Sequence, residues 1–160
     1  MTATTKNETQ IIVDPDVPLV RIIREFDAPP EKVFRAHTEP DLVKQWMGPN
    51  GYENQIETFD CRTGGSYRYK SSSEEFEGWF RGSFHEVRPN EVIIQTFSYE
   101  DMPDGVALER LEFEDLGDGR TRLTSTSLVD SFEGRDAFVA SGMEVGVIEG
   151  YQRLDEILAA

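Results

Sequence analysis

The sequence predicts an α+β fold in which a curved antiparallel sheet of about seven strands wraps around a long C-terminal helix. Alternation of apolar and polar residues runs from about residue 53 to residue 128 and is interrupted only by short turn-forming segments, which favours an antiparallel meander. Apolar residues at spacings of three and four then run from Phe132 to Leu158, which predicts one helix. Two shorter helical patterns precede the alternating region.

The first strand and the two short helices are marked by their flanking prolines. Leu19–Phe26 is rich in β-branched residues and predicts a strand, which the Asp27–Pro30 segment ends. A helix is predicted to begin at Pro29 and Pro30, since proline suits the first helical turn. A second helix should follow the Thr38–Asp41 segment and end before Gly48 and Pro49.

The remaining strands are separated by segments of Gly, Ser, Asn, Asp and Pro. They are predicted near Glu53–Asp60, Ser66–Lys70, Glu75–Val87, Glu91–Tyr99, Val106–Asp115 and Arg120–Leu128. In the third of these, Phe76, Phe80 and Phe84 share a face with two glycines, whereas Trp79 lies on the other face. The two glycines permit the bend that a half-closed sheet needs.

The predicted C-terminal helix contains glycines at four-residue intervals. Gly142, Gly146 and Gly150 form a smooth stripe along one side of the helix, which we expect to allow close approach to the sheet or to leave room for a ligand. Spanning about 26 residues at roughly 1.5 Å each, the helix would be about 39 Å long and would cross the whole sheet.

Length and charge limit the classes of protein. The 160 residues suit a single domain, expected at residues 17–160 after a flexible tail of residues 1–16 whose end adds a strand. The start is polar and no stretch reaches about 20 apolar residues, so neither secretion nor membrane insertion is expected. With one cysteine as well, the sequence predicts a cytoplasmic location. A net charge of −15 disfavours nucleic acid as a partner.

Several segments, in order along the chain, match a known family. They are Arg24–Pro29, Val33–Ala36, Thr38–Pro40, Trp46, Gly48–Pro49, Arg62–Gly65, Gly82–Val87, Pro89, Gly142–Glu144 and Tyr151–Leu154. Between residues 19 and 158 the chain resembles the bacterial heat-shock-protein-90 ATPase activator-like proteins of the START/Bet v 1-like (SRPBCC) superfamily. The resemblance implies a helix-grip fold. It does not choose among the superfamily's carriers, receptors, cyclases and co-chaperones, because one fold supports many functions.

The sequence contains no motif for metal, nucleotide or hydrolytic chemistry. His37, expected near the surface at a helix end, and His85, expected on a strand surface, belong to no metal-binding pattern, and Cys61 has no partner cysteine nearby. No GxSxG, Walker A or GxGxxG motif occurs. We therefore predict no catalytic residue, no metal and no cofactor.

Side chains that alternation or helical spacing can direct toward a common interior are the candidates for ligand contact. They are Trp46, Tyr67, Tyr69, Trp79, Phe97, Glu109, Phe113, Met143 and Val147, and for each the alternative is a place in a solid core. Glu109 shares its strand face with Leu111 and Phe113, where a carboxylate is costly without a partner. Ser125 and Ser127 could add hydroxyls to the same interior.

Three functions are compatible with these residues. The first is binding of a small hydrophobic or aromatic molecule in an internal cavity, as a carrier, sensor or stress-related protein. The second is docking on a chaperone, whose ATPase the domain would stimulate. The third is a cofactor-free cyclase-, dehydratase- or hydrolase-like enzyme using Glu109, His85 or a tyrosine as acid or base. A homodimer is left open, since an exposed sheet edge can pair.

Overall fold

The computed structural model describes residues 7–160, and in this range the chain forms one sheet and four helices. The strands are β1 (Gln10–Val13), β2 (Leu19–Phe26), β3 (Glu53–Phe59), β4 (Ser66–Ser72), β5 (Glu77–Arg88), β6 (Val92–Tyr99), β7 (Ala107–Gly117) and β8 (Arg120–Leu128). The helices are α1 (Pro30–Thr38), α2 (Pro40–Trp46), α3 (Phe132–Ala140) and α4 (Met143–Ala159).

The sheet is antiparallel throughout, with the strand order β1-β2-β8-β7-β6-β5-β4-β3. Strands β3 to β8 form the predicted meander, and β8 pairs with β2 so that the first and last long strands are neighbours. Strand β1 lies in the segment expected to be a tail and adds an eighth strand by pairing with β2. The first six residues of that expected tail lie outside the described residues.

The strand register defines an inner face, which carries the helices, and an outer face. Glu109 pairs with Gln95 on one side and with Ser127 on the other, so these three side chains lie in a row on the inner face. Tyr69 pairs with Phe80 on the same face. The intervening residues of each strand point to the outer face.

One end of the space between sheet and helices is solidly filled, and we call it the packed end. Helices α1 and α2 and the C-terminal half of α4 place their apolar side chains here against β2, β7 and β8. Its most deeply buried members are Phe26, Val33, Leu123 and Leu154, none of which exposes any surface. The Trp46 indole donates to the Ala36 carbonyl at 2.9 Å and stacks on Tyr151. This end therefore has the ring-on-ring contacts of an ordinary core.

The prediction of one unbroken helix from residue 132 to residue 158 is wrong. The helix stops at Ala140, and Gly142 adopts a left-handed backbone with φ of 88° before α4 begins at Met143. Glycine has no Cβ and enters this region at little cost, which makes it a common helix terminator. The fold otherwise agrees with the predicted α+β class, with a long helix at its C-terminus.

The two glycines within α4 allow close approach to α2 and the loop after it, and not to the sheet as predicted. A Cβ on Gly150 would lie 2.9 Å from the Trp46 carbonyl oxygen, and one on Gly146 would lie 3.3 Å from Pro49 Cδ. Arg153 reinforces this contact by donating to the Trp46 carbonyl at 2.8 Å. Helix α4 is thus fixed at the packed end, which sets where its first turns lie over the sheet.

Candidate functional site

Beyond the packed end, apolar side chains on the inner face of the sheet and on the helices are only partly covered, and we call this region the open end and the gap that their exposure implies the cleft. Its apolar side chains pack against the core and yet are only half-buried. They are Tyr69, Phe97 and Leu111 on the sheet, and Phe138, Met143 and Val147 on α3 and α4. Since these side chains face inward, their remaining exposure means that solvent reaches the space between the layers.

Aromatic rings form a continuous stack along the floor of the open end. Phe80 stacks on Tyr69 with ring centroids 5.4 Å apart, and on Phe97 at the same distance. Tyr67 continues the row beside Tyr69 at 6.2 Å. A floor of this kind offers apolar surface to a ring or an alkyl chain.

Gly82 makes space for the ring beside this stack. A Cβ there would lie 2.0 Å from the Thr96 carbonyl oxygen and 2.6 Å from the Tyr67 hydroxyl. Its absence lets the Tyr67 hydroxyl donate to that carbonyl at 2.7 Å. The glycine that the sequence marked as a bending point therefore also accommodates a buried phenol.

Of the described residues, Glu109 is the single acidic side chain of the open end. One carboxylate oxygen accepts a hydrogen bond from Gln95 Nε2 at 2.9 Å, and the other accepts from Ser127 Oγ at 2.8 Å. Among residues 7–160 no lysine, arginine or histidine forms an ion pair with it. Loss of solvation raises the pKa of Glu109 above its ordinary value, although the two hydrogen bonds act in the opposite direction.

Two further polar groups are the phenol of Tyr69 at the open end and that of Tyr151, whose ring stacks on Trp46 at the packed end. The hydroxyls of Tyr69 and Tyr151 form no hydrogen bond with any described residue, and neither oxygen is sealed from solvent. Burial raises the pKa of both phenols, and the Glu109 carboxylate raises each pKa further. Both hydroxyls are therefore neutral near pH 7 and can donate to, or accept from, a bound molecule.

Comparison with known proteins identifies the family of this chain. The sequence model of the family described as "Activator of Hsp90 ATPase homolog 1-like protein" matches residues 27–159. The chain belongs to this family. The resemblance found in the sequence is thereby confirmed, and so is the helix-grip architecture. No curated protein matches the chain.

Solved structures similar to this Hsp90-activator-like domain come from several bacteria. A Rhodobacter sphaeroides protein is 27% identical with a TM-score of 0.83, and the alignment covers 95% of this chain and 98% of that one. An Arthrobacter aurescens protein is 22% identical with a TM-score of 0.85, covering 94% and 91% of the two chains. A Mycobacterium smegmatis protein is 21% identical with a TM-score of 0.81, covering 94% and 96%. The last two show the fold alone.

The nine predicted contact residues do not all share one interior in this Hsp90-activator-like domain. Five of them lie at the open end: Tyr69, Phe97, Glu109, Met143 and Val147. Trp46 and Phe113 belong to the packed end, where both contact His37 at ring distances of 4.8 and 5.4 Å. Tyr67 is buried between these two groups, 5.3 Å from the Phe84 ring.

Trp79 does not lie in the common interior where it was predicted to lie. It pairs with Lys70 and lies on the outer face, where the Arg68 guanidinium is 3.9 Å from its ring centroid. The reason is the pleat itself, because Phe80 occupies the inner face and its neighbour must point away. The alternation that separated Trp79 from Phe80 in the sequence was sufficient to predict this.

The histidines and the cysteine occupy inert positions. His37 is buried, not near the surface as predicted, and its Nδ1 donates to the Val33 carbonyl at 2.8 Å. His85 is exposed on its strand, as expected. Burial raises the pKa of the Cys61 thiol to about 12, which leaves no reactive thiolate at neutral pH. No cluster of metal-binding side chains occurs within residues 7–160.

Several residues of the site were not among the nine predicted contacts, and Phe138 on α3 is one of them. Phe80, Gln95 and Leu111 share the inner face with Tyr69 and Glu109 by strand alternation, which would have identified them once the correct face had been chosen. Tyr151 was predicted to lie in the last helix, in a segment that carries the family resemblance, and was not predicted to contact a ligand. Its relation to Glu109 depends on how α4 crosses the sheet, for which the sequence has no local signal.

Two further recesses have measurable volumes, and both lie outside the cleft. One of about 460 Å³ opens between β4, β5 and β6, where the outer-face side chains Arg68, Arg81 and Ser98 line it. The other, of about 240 Å³, lies beside Asp27 and Leu158. Neither recess is lined by Tyr69, Glu109 or Val147 of the open end. No described helix is long and apolar enough to cross a membrane.

Proposed function

We propose that this protein binds a small hydrophobic or aromatic molecule in the cleft at the open end. The proposal rests on two properties that the same side chains combine: they lie deep between the sheet and the helices, and solvent still reaches them. Tyr69 and Glu109 lie deep enough for burial to raise their pKa values, and both retain surface that solvent can reach. Side chains in a filled core lose that surface, as Phe26 and Leu154 do.

The chemistry of the cleft defines the kind of ligand. Stacked rings and aliphatic side chains supply the apolar area, and burial of such area contributes roughly 25 cal/mol per Å². The free hydroxyls of Tyr69 and Tyr151 and the Glu109 carboxylate supply a few polar contacts. An apolar pocket with a small number of placed polar groups is typical of small-molecule sites.

A pair of matched substitutions in α4 tests the proposal. Val147 is half-buried at the open end, whereas Val145 is 55% exposed on the same helix. We expect Val147→Trp to fill the cleft and abolish the fluorescence gain of Nile red, a neutral hydrophobic dye, while Val145→Trp leaves it unchanged. Native mass spectrometry of protein purified from cells should detect a bound small molecule in the wild type. Absence of dye binding to the wild type, or equal binding by both variants, would refute the proposal.

A further inference from the structure

Among residues 7–160, Glu109 is the one carboxylate of the cleft, and no basic side chain of that range forms an ion pair with it. Its two oxygens accept one hydrogen bond each from neutral donors, Gln95 and Ser127. A carboxylate oxygen has two lone-pair sites, so each oxygen retains capacity for a further donor. A charge kept in an apolar site without a cation is costly, and a cationic ligand would offset that cost.

In the part of the chain that the structure describes, the basic side chains nearest to this region already have partners. On β2, Arg24 forms a two-point ion pair with Asp155 at 3.0 and 2.5 Å. On α3, Arg135 donates to the carbonyls of Asp14 and Leu19 and to the Asp136 carboxylate. The titratable groups whose pKa values respond to the Glu109 charge are three phenols, Tyr67, Tyr69 and Tyr151.

The neutral groups near the carboxylate also suit an ammonium. The hydroxyl oxygens of Tyr69 and Tyr151 are without partners and can accept N–H donors. An ammonium has three N–H donors and no acceptor, which matches one carboxylate and two phenol oxygens.

We propose that the ligand of the cleft is a hydrophobic primary amine, whose ammonium pairs with Glu109 and whose apolar part lies on the aromatic floor. The inference rests on the proposed function, since it assigns a ligand class to the same cleft. The amine binds without any covalent step.

Three probes of similar length and different charge test the inference by calorimetry: 4-phenylbutylamine, 4-phenylbutanol and 4-phenylbutanoate. For the wild type we expect the amine to bind at least tenfold more tightly than the alcohol, a difference of about 1.4 kcal/mol, and the carboxylate to bind most weakly. If the alcohol equals or exceeds the amine, the amine inference fails while the proposed function stands. If none of the three binds, the proposed function fails as well.

Substitution of Glu109 separates the specific ion pair from general attraction to an acidic protein. We expect Glu109→Gln to reduce amine affinity about tenfold and to leave alcohol affinity unchanged. The control is Glu112→Gln, which removes the same charge from the same strand at an exposed position on the outer face. Equal losses of amine affinity in the two variants would mean that net charge alone attracts the amine, and would overturn the inference.

The wild type provides a second test that needs no variant. The ammonium remains protonated well above neutral pH, whereas Glu109 must be ionised to pair with it. We therefore expect amine affinity to fall as the pH is lowered through the raised pKa of Glu109, and alcohol affinity to stay constant. An amine affinity independent of pH across this range would contradict the ion pair.

Discussion

The packed end and the open end lie between the same two layers and differ in how completely they are filled. At the packed end, α1 and α2 pack beside α4, which itself contacts β2 through the rings of Phe26 and Tyr151, so Phe26 and Leu154 have no exposed surface. At the open end, α3 and the first turns of α4 face the sheet directly, and Met143 and Phe97 remain half-buried. The two short helices, α1 and α2, therefore determine where the packed core ends and the cleft begins. Stability and binding should accordingly be separable.

The largest expected effect comes from removing a buried side chain at the packed end. Leu154→Ala should reduce the free energy of unfolding by about 2–5 kcal/mol, because it leaves a cavity in a filled core. Met143→Ala at the open end should cost about 1 kcal/mol, since solvent already reaches that side chain. Urea titration measures both. Equal losses would mean that the two ends are packed alike.

Leu154→Ala also tests whether binding is confined to the open end. The variant should still bind Nile red with unchanged affinity at temperatures where it remains folded, because Leu154 lies outside the cleft. Loss of dye binding in a folded Leu154→Ala protein would show that the cleft extends into the packed end.

The next effect is a pH dependence that arises within the packed end. Burial lowers the pKa of His37 from 6.5 to about 4, and its Nε2 has no hydrogen-bond partner. Because the folded-state pKa is the lower one, the contribution to stability is complete above about pH 6.5 and is lost as the pH falls toward 4. The loss attributable to this side chain should reach about 3 kcal/mol.

Two histidine variants isolate that contribution. His37→Phe keeps an aromatic ring between Trp46 and Phe113 and removes the titratable group. Urea unfolding at pH 7 and pH 4.5 should show a smaller acid-induced loss in His37→Phe than in the wild type. His85→Phe, on the exposed strand surface, should retain the wild-type dependence. An unchanged acid sensitivity in His37→Phe would contradict the assignment.

The difference between the two ends also explains which features were predictable from sequence. Alternation and turn residues predicted strands β2 to β8 to within a few residues, because both are local signals. The same alternation placed Tyr69, Phe97 and Glu109 on one face. It could not indicate which residues α1 and α2 would cover, so Trp46 and Phe113 were assigned to the cleft although they complete the core. The packing of helices against a sheet is decided by tertiary contacts.

The break between α3 and α4 and the position of Tyr151 were likewise not predictable from the sequence. Gly142 belongs to the four-residue glycine spacing of the predicted last helix, and only its left-handed backbone distinguishes a terminator from a helical glycine. Gly146 and Gly150 allow α4 to pack closely against α2 and the loop after it. This packing fixes the position of Tyr151, which is close enough to Glu109 for the carboxylate to raise the pKa of its phenol. Neither fact has a signature in a single sequence.

The smallest expected effect on stability concerns the charge at the open end. Loss of solvation raises the pKa of Glu109 in the folded protein, so ionising this carboxyl stabilises the unfolded state relative to the folded one. The penalty is absent below the ordinary glutamate pKa, grows as the pH rises through the raised folded-state pKa, and is constant above it. Glu109→Gln removes the charge and keeps hydrogen-bonding atoms toward Gln95 and Ser127.

We therefore expect Glu109→Gln to unfold at a higher urea concentration than the wild type at pH 8, and at about the same concentration at pH 4. Glu112→Gln, at an exposed position on the outer face, should show no such pH-dependent gain. A variant that is stabilised at neutral pH and binds the amine probe less tightly would show that the open end retains a costly charge for recognition. A Glu109→Gln protein that is less stable than the wild type at pH 8 would instead assign the carboxylate to holding β6, β7 and β8 together.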